Sequence, residues 1–364
     1  MMEARIRMTQ AGYYTPHSSV ICGTDDRVMS SVKLRVRQFC LPHLLLLALL
    51  AAALQAAGPG IVFEGTQGPG KGKHIVLIAG DQEYRSEEAL PQLARILATR
   101  HGFKCTVLFC IDPRDGTIDL DKPNIPGLEV LAKADLVVFF LRWLDMPDDQ
   151  MKLFADYIES GRPMIGMRTA THCFNLKSSQ TYQRYTWNSK EWDGGFGRQV
   201  LGETWVAHHG RHGKQSTRGV IVKGQESHPI LRGVKDGEIW GPTDVYKVAI
   251  PLPGDSRPLI LGQVLSGMQP TDPPVDGPQN NPMMPVAWAK TYKGARVFNT
   301  TMGSSQDLLN PGIRRMLVNA CYWAVGRESR IDPKSSVDLV GDYRPSPFQM
   351  DGFKKGVKPS DLAR

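Results

Sequence analysis

The residues best suited to chemistry fall in three short stretches. The first is Gly166-Met167-Arg168-Thr169-Ala170-Thr171-His172-Cys173-Phe174, which packs a cation, two hydroxyls and an imidazole into five positions. An apolar run at 163–165 precedes it and reads as a buried strand, so the stretch is a strand turning sharply into a helix. Such a turn aims side chains and free backbone N–H groups at one spot. The second stretch, Gly80-Asp81-Gln82-Glu83-Tyr84-Arg85-Ser86, offers two carboxylates after another apolar run. The third, His208-His209-Gly210-Arg211-His212-Gly213, holds three imidazoles in five residues. Its glycines favour a loop over a zinc-protease helix. His208, His209 and His212 are therefore candidates for a divalent metal such as zinc, helped by His172 or Asp244. The same histidines would equally line a polar pocket. No cofactor is certain, and no CxxC spacing points to zinc.

The elements that must position these stretches follow from periodicity. Apolar runs of strand length occur at 74–79, 103–109, 135–140 and 163–167, without polar alternation, as expected for strands covered on both faces. Between them, Leu90, Leu93, Ala94 and Leu97 repeat at helical spacing, and Met151, Phe154, Ala155 and Ile158 do the same behind Pro147. This alternation predicts a doubly wound, mostly parallel α/β sheet. Right-handed crossovers then bring the strand ends carrying Asp81, Arg142 and Arg168 to one edge, where open α/β sheets bind ligands. Residues 175–218 break the rhythm and read as an insertion with one short helix near 196–201. Further strands are expected at 218–222, 246–250, 259–264, 286–289 and 295–301, and a last helix from Pro311.

Residues 1–57 read as a signal region, with Met29 as an alternative start. Lys33, Arg35 and Arg37 precede an apolar run at 44–54 that is too short to span a bilayer, and alanines follow. No cysteine closes that run, so no lipid anchor or other stable membrane attachment is expected, and the chain is expected in the periplasm or outside the cell. Residues 58–72 read as a Gly/Pro linker, 73–326 as one domain, and 327–364 as a Pro-rich polar tail that packs loosely or not at all. Of the net charge of +8, the first 57 residues carry six Lys/Arg against three Asp/Glu, leaving about +5 without a basic patch. Nucleic acid is thus not an expected partner. Cys105, Cys110, Cys173 and Cys321 read as buried free thiols.

Several motifs together resemble the trehalose-utilisation (ThuA-like) family. They are Gly166–Phe174, Gly197-Arg198-Gln199-Val200-Leu201-Gly202 with Trp205 and His208-His209-Gly210, His228-Pro229-Ile230, and Arg296–Phe298 with Thr300–Gly303. The resemblance covers about 73–326 and implies a flavodoxin-like fold of the class I glutamine amidotransferase type. In that fold the turn reads Gly-x-Cys-x-Gly. Here Arg168 stands at the nucleophile's position and Cys173 lies five residues on, so thiol chemistry of the amidotransferase kind is not expected. Thr243-Asp244-Val245-Tyr246 matches a family Asp-Glu-Leu-Tyr run with one acid lost. The resemblance implies carbohydrate metabolism around disaccharides, glycosides and keto-sugars. The expected roles are then His172 as acid or base, Arg168 on an oxyanion or ring oxygen, and Asp81 and Asp244 orienting them. Thr169, Thr171, Glu83, Arg142, Trp143, Trp205, His208 and His209 would contact a small carbohydrate, the tryptophans by stacking. The rival expectation is a non-catalytic periplasmic sugar-binding protein. Catalysis additionally requires a histidine–carboxylate hydrogen bond. A homo-oligomer is left open.

Overall fold

The computed structural model describes residues 60–363; the expected signal region lies outside them. One ten-stranded sheet organises these residues. In chain order its first half is β1 (Gly60–Phe63), β2 (His74–Gly80), helix α1 (Ser86–His101), β3 (Lys104–Phe109), β4 (Leu136–Leu141), α2 (Asp148–Glu159) and β5 (Met164–Met167). After the insertion come β6 (Ala207–His208), β7 (Thr217–Ile221), β8 (Trp240–Gly241), β9 (Tyr246–Lys247), β10 (Arg257–Val264), β11 (Met284–Tyr292), β12 (Ala295–Thr300) and α3 (Pro311–Ala324). The order across the sheet is β1-β3-β2-β4-β5-β12-β11-β10-β7-β8, with β6 and β9 forming a separate ribbon.

The strands β3, β2, β4, β5 and β12 run parallel to their neighbours. The remaining pairings are antiparallel. The sheet is therefore mixed rather than mostly parallel. The departure arises in the later chain: a two-residue turn joins β11 to β12, and such a turn can only reverse direction, while β10 lies antiparallel to β11 across the longer connection 265–283. β2 and β4 are buried along almost their whole length, which is why they read as unbroken apolar runs.

Three boundaries differ from expectation. The linker contains β1, which pairs with the edge of β3 through Gly60–Phe63. The short helix of the insertion is a π-helical turn, Gly197–Leu201. A Cβ at Gly197 would come within 2.1 Å of the Thr171 carbonyl oxygen, so the insertion's return lies directly on the central turn. The tail is ordered against the domain: Val337 and Phe353 are buried, and the Val357 carbonyl accepts from Ile118 N–H.

Gly166, in β5 opposite Asn299 of β12, is the tightest point under the site. An added Cβ would sit 2.1 Å from Asn299 Oδ1 and 2.8 Å from a Leu201 methyl. Gly166→Ala is expected to cost about 1–3 kcal/mol by overpacking, read as a lower urea midpoint with an unchanged slope.

Candidate functional site

Because β2, β4, β5 and β12 are parallel, their following loops meet at one edge. β2 delivers Asp81, Glu83 and Tyr84; β4 delivers Arg142 and Trp143; β5 delivers Arg168–His172; and β12 delivers Thr301. The β6–β9 ribbon pairs His208 with Tyr246, which sets His208 beside Asp244 in the preceding turn.

The turn after β5 is a single 3₁₀ turn, Arg168–His172. Arg168 sits in the left-handed region at φ 46, a conformation that bulky residues adopt only when surrounding contacts enforce it. Those contacts are numerous. Nη1 donates to the carbonyls of Asp244 and Thr301, both at 2.7 Å. Nη2 donates to Tyr84 Oη at 2.8 Å and Asp244 Oδ1 at 2.6 Å. The guanidinium lies between the faces of Tyr84 and Tyr246, at 4.2 and 3.9 Å, a favourable cation–π arrangement. Burial opposes its charge, but Tyr246, Tyr84 and Asp244 together hold it firmly protonated. Both Nη groups are committed to protein acceptors and the side chain is fully buried. Arg168 is thus a post that fixes Asp244, not a group reaching for a substrate oxygen.

Asp244 is the hub. Its Oδ1 meets Arg168 and His212 Nδ1 (3.0 Å), and its Oδ2 meets His208 Nδ1 at 2.7 Å. Burial pushes its carboxyl up, yet Arg168, His208 and His212 outweigh burial and hold it well below the usual carboxylate range. Asp81 behaves oppositely. Burial pushes it up to about 6 against the hydrogen bonds from Thr169 and the Tyr84 N–H. Thr169 Oγ1 donates to Asp81, so this threonine closes the turn instead of facing a ligand.

His172 is buried, and its Nδ1 meets Thr171 Oγ1 at 3.1 Å rather than a carboxylate. Burial, then the charges of Arg142, Arg168 and His208, hold it neutral. The acid–base part expected of His172 therefore has its geometry at His208. This imidazole is 39% exposed, carries the carboxylate bond, and shares Trp205 and Tyr246 with His172. His209 turns away: its Nε2 meets the Gln279 carbonyl at 2.8 Å. Glu83 pairs with Arg142 at 2.7 Å and lies 3.6 Å from His212 Nε2. Trp143, Trp187 and Trp205, all half-buried, form one aromatic face beside His172, with ring centroids 5.8–6.1 Å apart. The buried Trp143 indole N–H has no partner among the described residues.

The expected metal set loses His209 and His172 and keeps Asp244: ligand atoms of His208, His212 and Asp244 lie within 4.8 Å of one another. Asp244, however, already neutralises Arg168, and Glu83 neutralises Arg142. A divalent cation would enter without a carboxylate free to balance it, a costly arrangement. As the groups stand, the two imidazoles are each held to the carboxylate by a hydrogen bond.

Tyr84, Tyr246 and the tail residue Phe348 are the neighbours that reading the sequence missed as site residues. The two tyrosines lie inside motifs already singled out; Phe348 carries no motif at all. Cys173 is buried, and burial pushes its thiol well above the usual range, which leaves no thiolate for nucleophilic attack. Cys173→Ser is expected to keep the turnover of the wild type; loss of turnover in a folded variant would restore a thiol mechanism.

The chain belongs to the ThuA family: the family's profile, described as trehalose utilisation, matches residues 76–324. No protein of curated function matches significantly. Among solved structures, a putative ThuA-like protein from Bacteroides uniformis is 15% identical, over 74% of this chain and 96% of its own, with a TM-score of 0.46. Another from Parabacteroides merdae is 13% identical, over 78% of this chain and 100% of its own, with a TM-score of 0.45. Among the described residues, no helix is long and apolar enough to cross a membrane.

Proposed function

We propose that this protein is an exported carbohydrate-active enzyme that transfers a proton to or from a disaccharide, glycoside or keto-sugar through His208. The observation that carries the reading is the 2.7 Å bond from His208 Nδ1 to the buried Asp244 carboxylate, beside an aromatic face. Asp244 fixes the imidazole's orientation and its Nδ1–H tautomer, which leaves Nε2 as the proton carrier. Trp205 supplies a flat apolar surface on which a pyranose ring stacks, backed by Trp143 and Trp187. Membership of the trehalose-utilisation family supports the substrate class. The strand order β3-β2-β4-β5-β12 supports a flavodoxin-like core. The basic, apolar and small-residue run before 58 supports export, and the N-terminus of the exported protein is expected between Leu54 and Gly60.

The test is a screen of disaccharides, glycosides and their keto derivatives with purified protein, with and without a chelator. Turnover unaffected by the chelator is expected. Turnover abolished by the chelator would move the chemistry to a metal, and binding without turnover would leave the sugar-binding reading. Trp205→Ala is expected to weaken carbohydrate binding by about 1 kcal/mol, in the range of aromatic contacts, read by titration calorimetry.

A further inference from the structure

The tail beyond 326 lies outside the matched family region, which ends at 324, yet it crosses the site. Tyr343 Oη donates to the Ser305 carbonyl at 2.7 Å. Ser346 donates through N and Oγ to Glu88, at 2.6 and 2.8 Å, and its carbonyl accepts from Ser305 Oγ at 2.9 Å. Gln349 N–H donates to the Glu83 carbonyl at 3.2 Å. These bonds pin the segment on both sides of Pro347 and Phe348. The two residues form one wall of a cavity of about 200 Å³ whose other walls include Tyr84, His212, Asp244 and Gln306. The Phe348 ring meets His212 edge-on at 3.8 Å between centroids and Tyr84 at 5.2 Å.

We infer that Phe348 is a positioning residue: the C-terminal segment is a built-in part of the site, and its ring holds the His212 imidazole against Asp244. Four groups surround that imidazole: Tyr84, Asp244, Phe348 and His208. Tyr84 Oη and Asp244 Oδ1 both approach Nδ1, at 3.1 and 3.0 Å, and both would still be reached if the ring tilted. His212 Nε2 is buried without a hydrogen-bond partner among the described residues; the Glu83 carboxylate, 3.6 Å away, lies beyond hydrogen-bond length, so no second hydrogen bond stops the tilt. The face of the ring is blocked by Phe348 and, on the other side of the network, by His208 at 4.7 Å. An imidazole so held presents one tautomer and one orientation to Asp244. That in turn keeps the second oxygen of Asp244 for His208, the proton carrier proposed above. The activity arm of the test rests on that reading; the spectroscopic arm does not.

The experiment uses the full mature chain, labelled with nitrogen-15 at histidine. In the wild type, the His212 ring nitrogens are expected to report a single tautomer with hydrogen at Nδ1. In Phe348→Ala, they are expected to move towards the average of the two tautomers, and Phe348→Tyr is expected to restore the wild-type pattern. On a substrate found by the screen, Phe348→Ala is expected to lower kcat with little change in KM, because the ring acts through His212. Unchanged His212 signals in folded Phe348→Ala would overturn the inference, whether or not any carbohydrate is turned over. Should Phe348→Ala fail to fold, Phe348→Leu keeps the apolar bulk without the ring edge and is read by the same two outcomes.

Discussion

Asp244→Asn is expected to lose about 3–5 kcal/mol of stability, the cost of leaving a buried charge without its partner. Arg168 and Asp244 are both fully buried in the fold and 2.6 Å apart. The amide keeps the shape and the contact with His208, but the guanidinium is left charged between two tyrosine rings. Urea denaturation at neutral pH measures the loss. The pH dependence has a definite sign. Asp244 is held below its unfolded value of about 3.9, with burial outweighed by Arg168 and the two histidines. Its contribution is therefore complete above about pH 4 and fades as pH falls below that towards the folded-state value. The gap between wild type and Asp244→Asn should close as pH falls below about 4. A gap independent of pH down to acid unfolding would mean that the carboxylate charge is not what binds Arg168.

His208→Asn should separate chemistry from folding. The imidazole is 39% exposed, so the change is expected to leave the urea midpoint nearly unmoved. Loss of the proton carrier is expected to lower kcat by about 10²–10⁴-fold, the usual worth of a positioned acid or base. His172→Asn gives the contrast: a buried neutral imidazole packed against Trp143 and Trp205, whose loss is expected to show first as reduced stability. Turnover that survives His208→Asn while His172→Asn abolishes it in folded protein would return the catalytic part to His172.

The strands after which the site forms were legible because burial on both faces leaves unbroken apolar runs. Asp81, Arg142 and Arg168 then fell at one edge from strand direction alone. The partner of each side chain was not legible. Arg168 and His172 sit in one turn, but which of them faces inward depends on the left-handed backbone at Arg168 and on tyrosines at 84 and 246, far away in sequence. His208 gained its role from a strand of two residues, too short for any periodicity to show. β1 was hidden by the glycines and prolines around it, and the tail by its polarity. Phe348 is a single aromatic ring in a run whose composition says nothing of where it lands. The reversal between β11 and β12 followed from the short turn between them, but the direction of the other antiparallel strands is not written in their own residues.

The tight turn at Arg168 also limits how this scaffold can change. Here the position carries the counter-ion of Asp244 and the ring filler between Tyr84 and Tyr246. Exchanging Arg168 for cysteine would restore a sulfur at the bend but strand a buried carboxylate and open a void between two phenol rings. Any replacement of Arg168 therefore calls for coordinated replacement of Asp244 and its histidines. A single codon change at the bend leads only to an unstable intermediate. The turn is thus locked by the partners it has recruited, not by its own backbone.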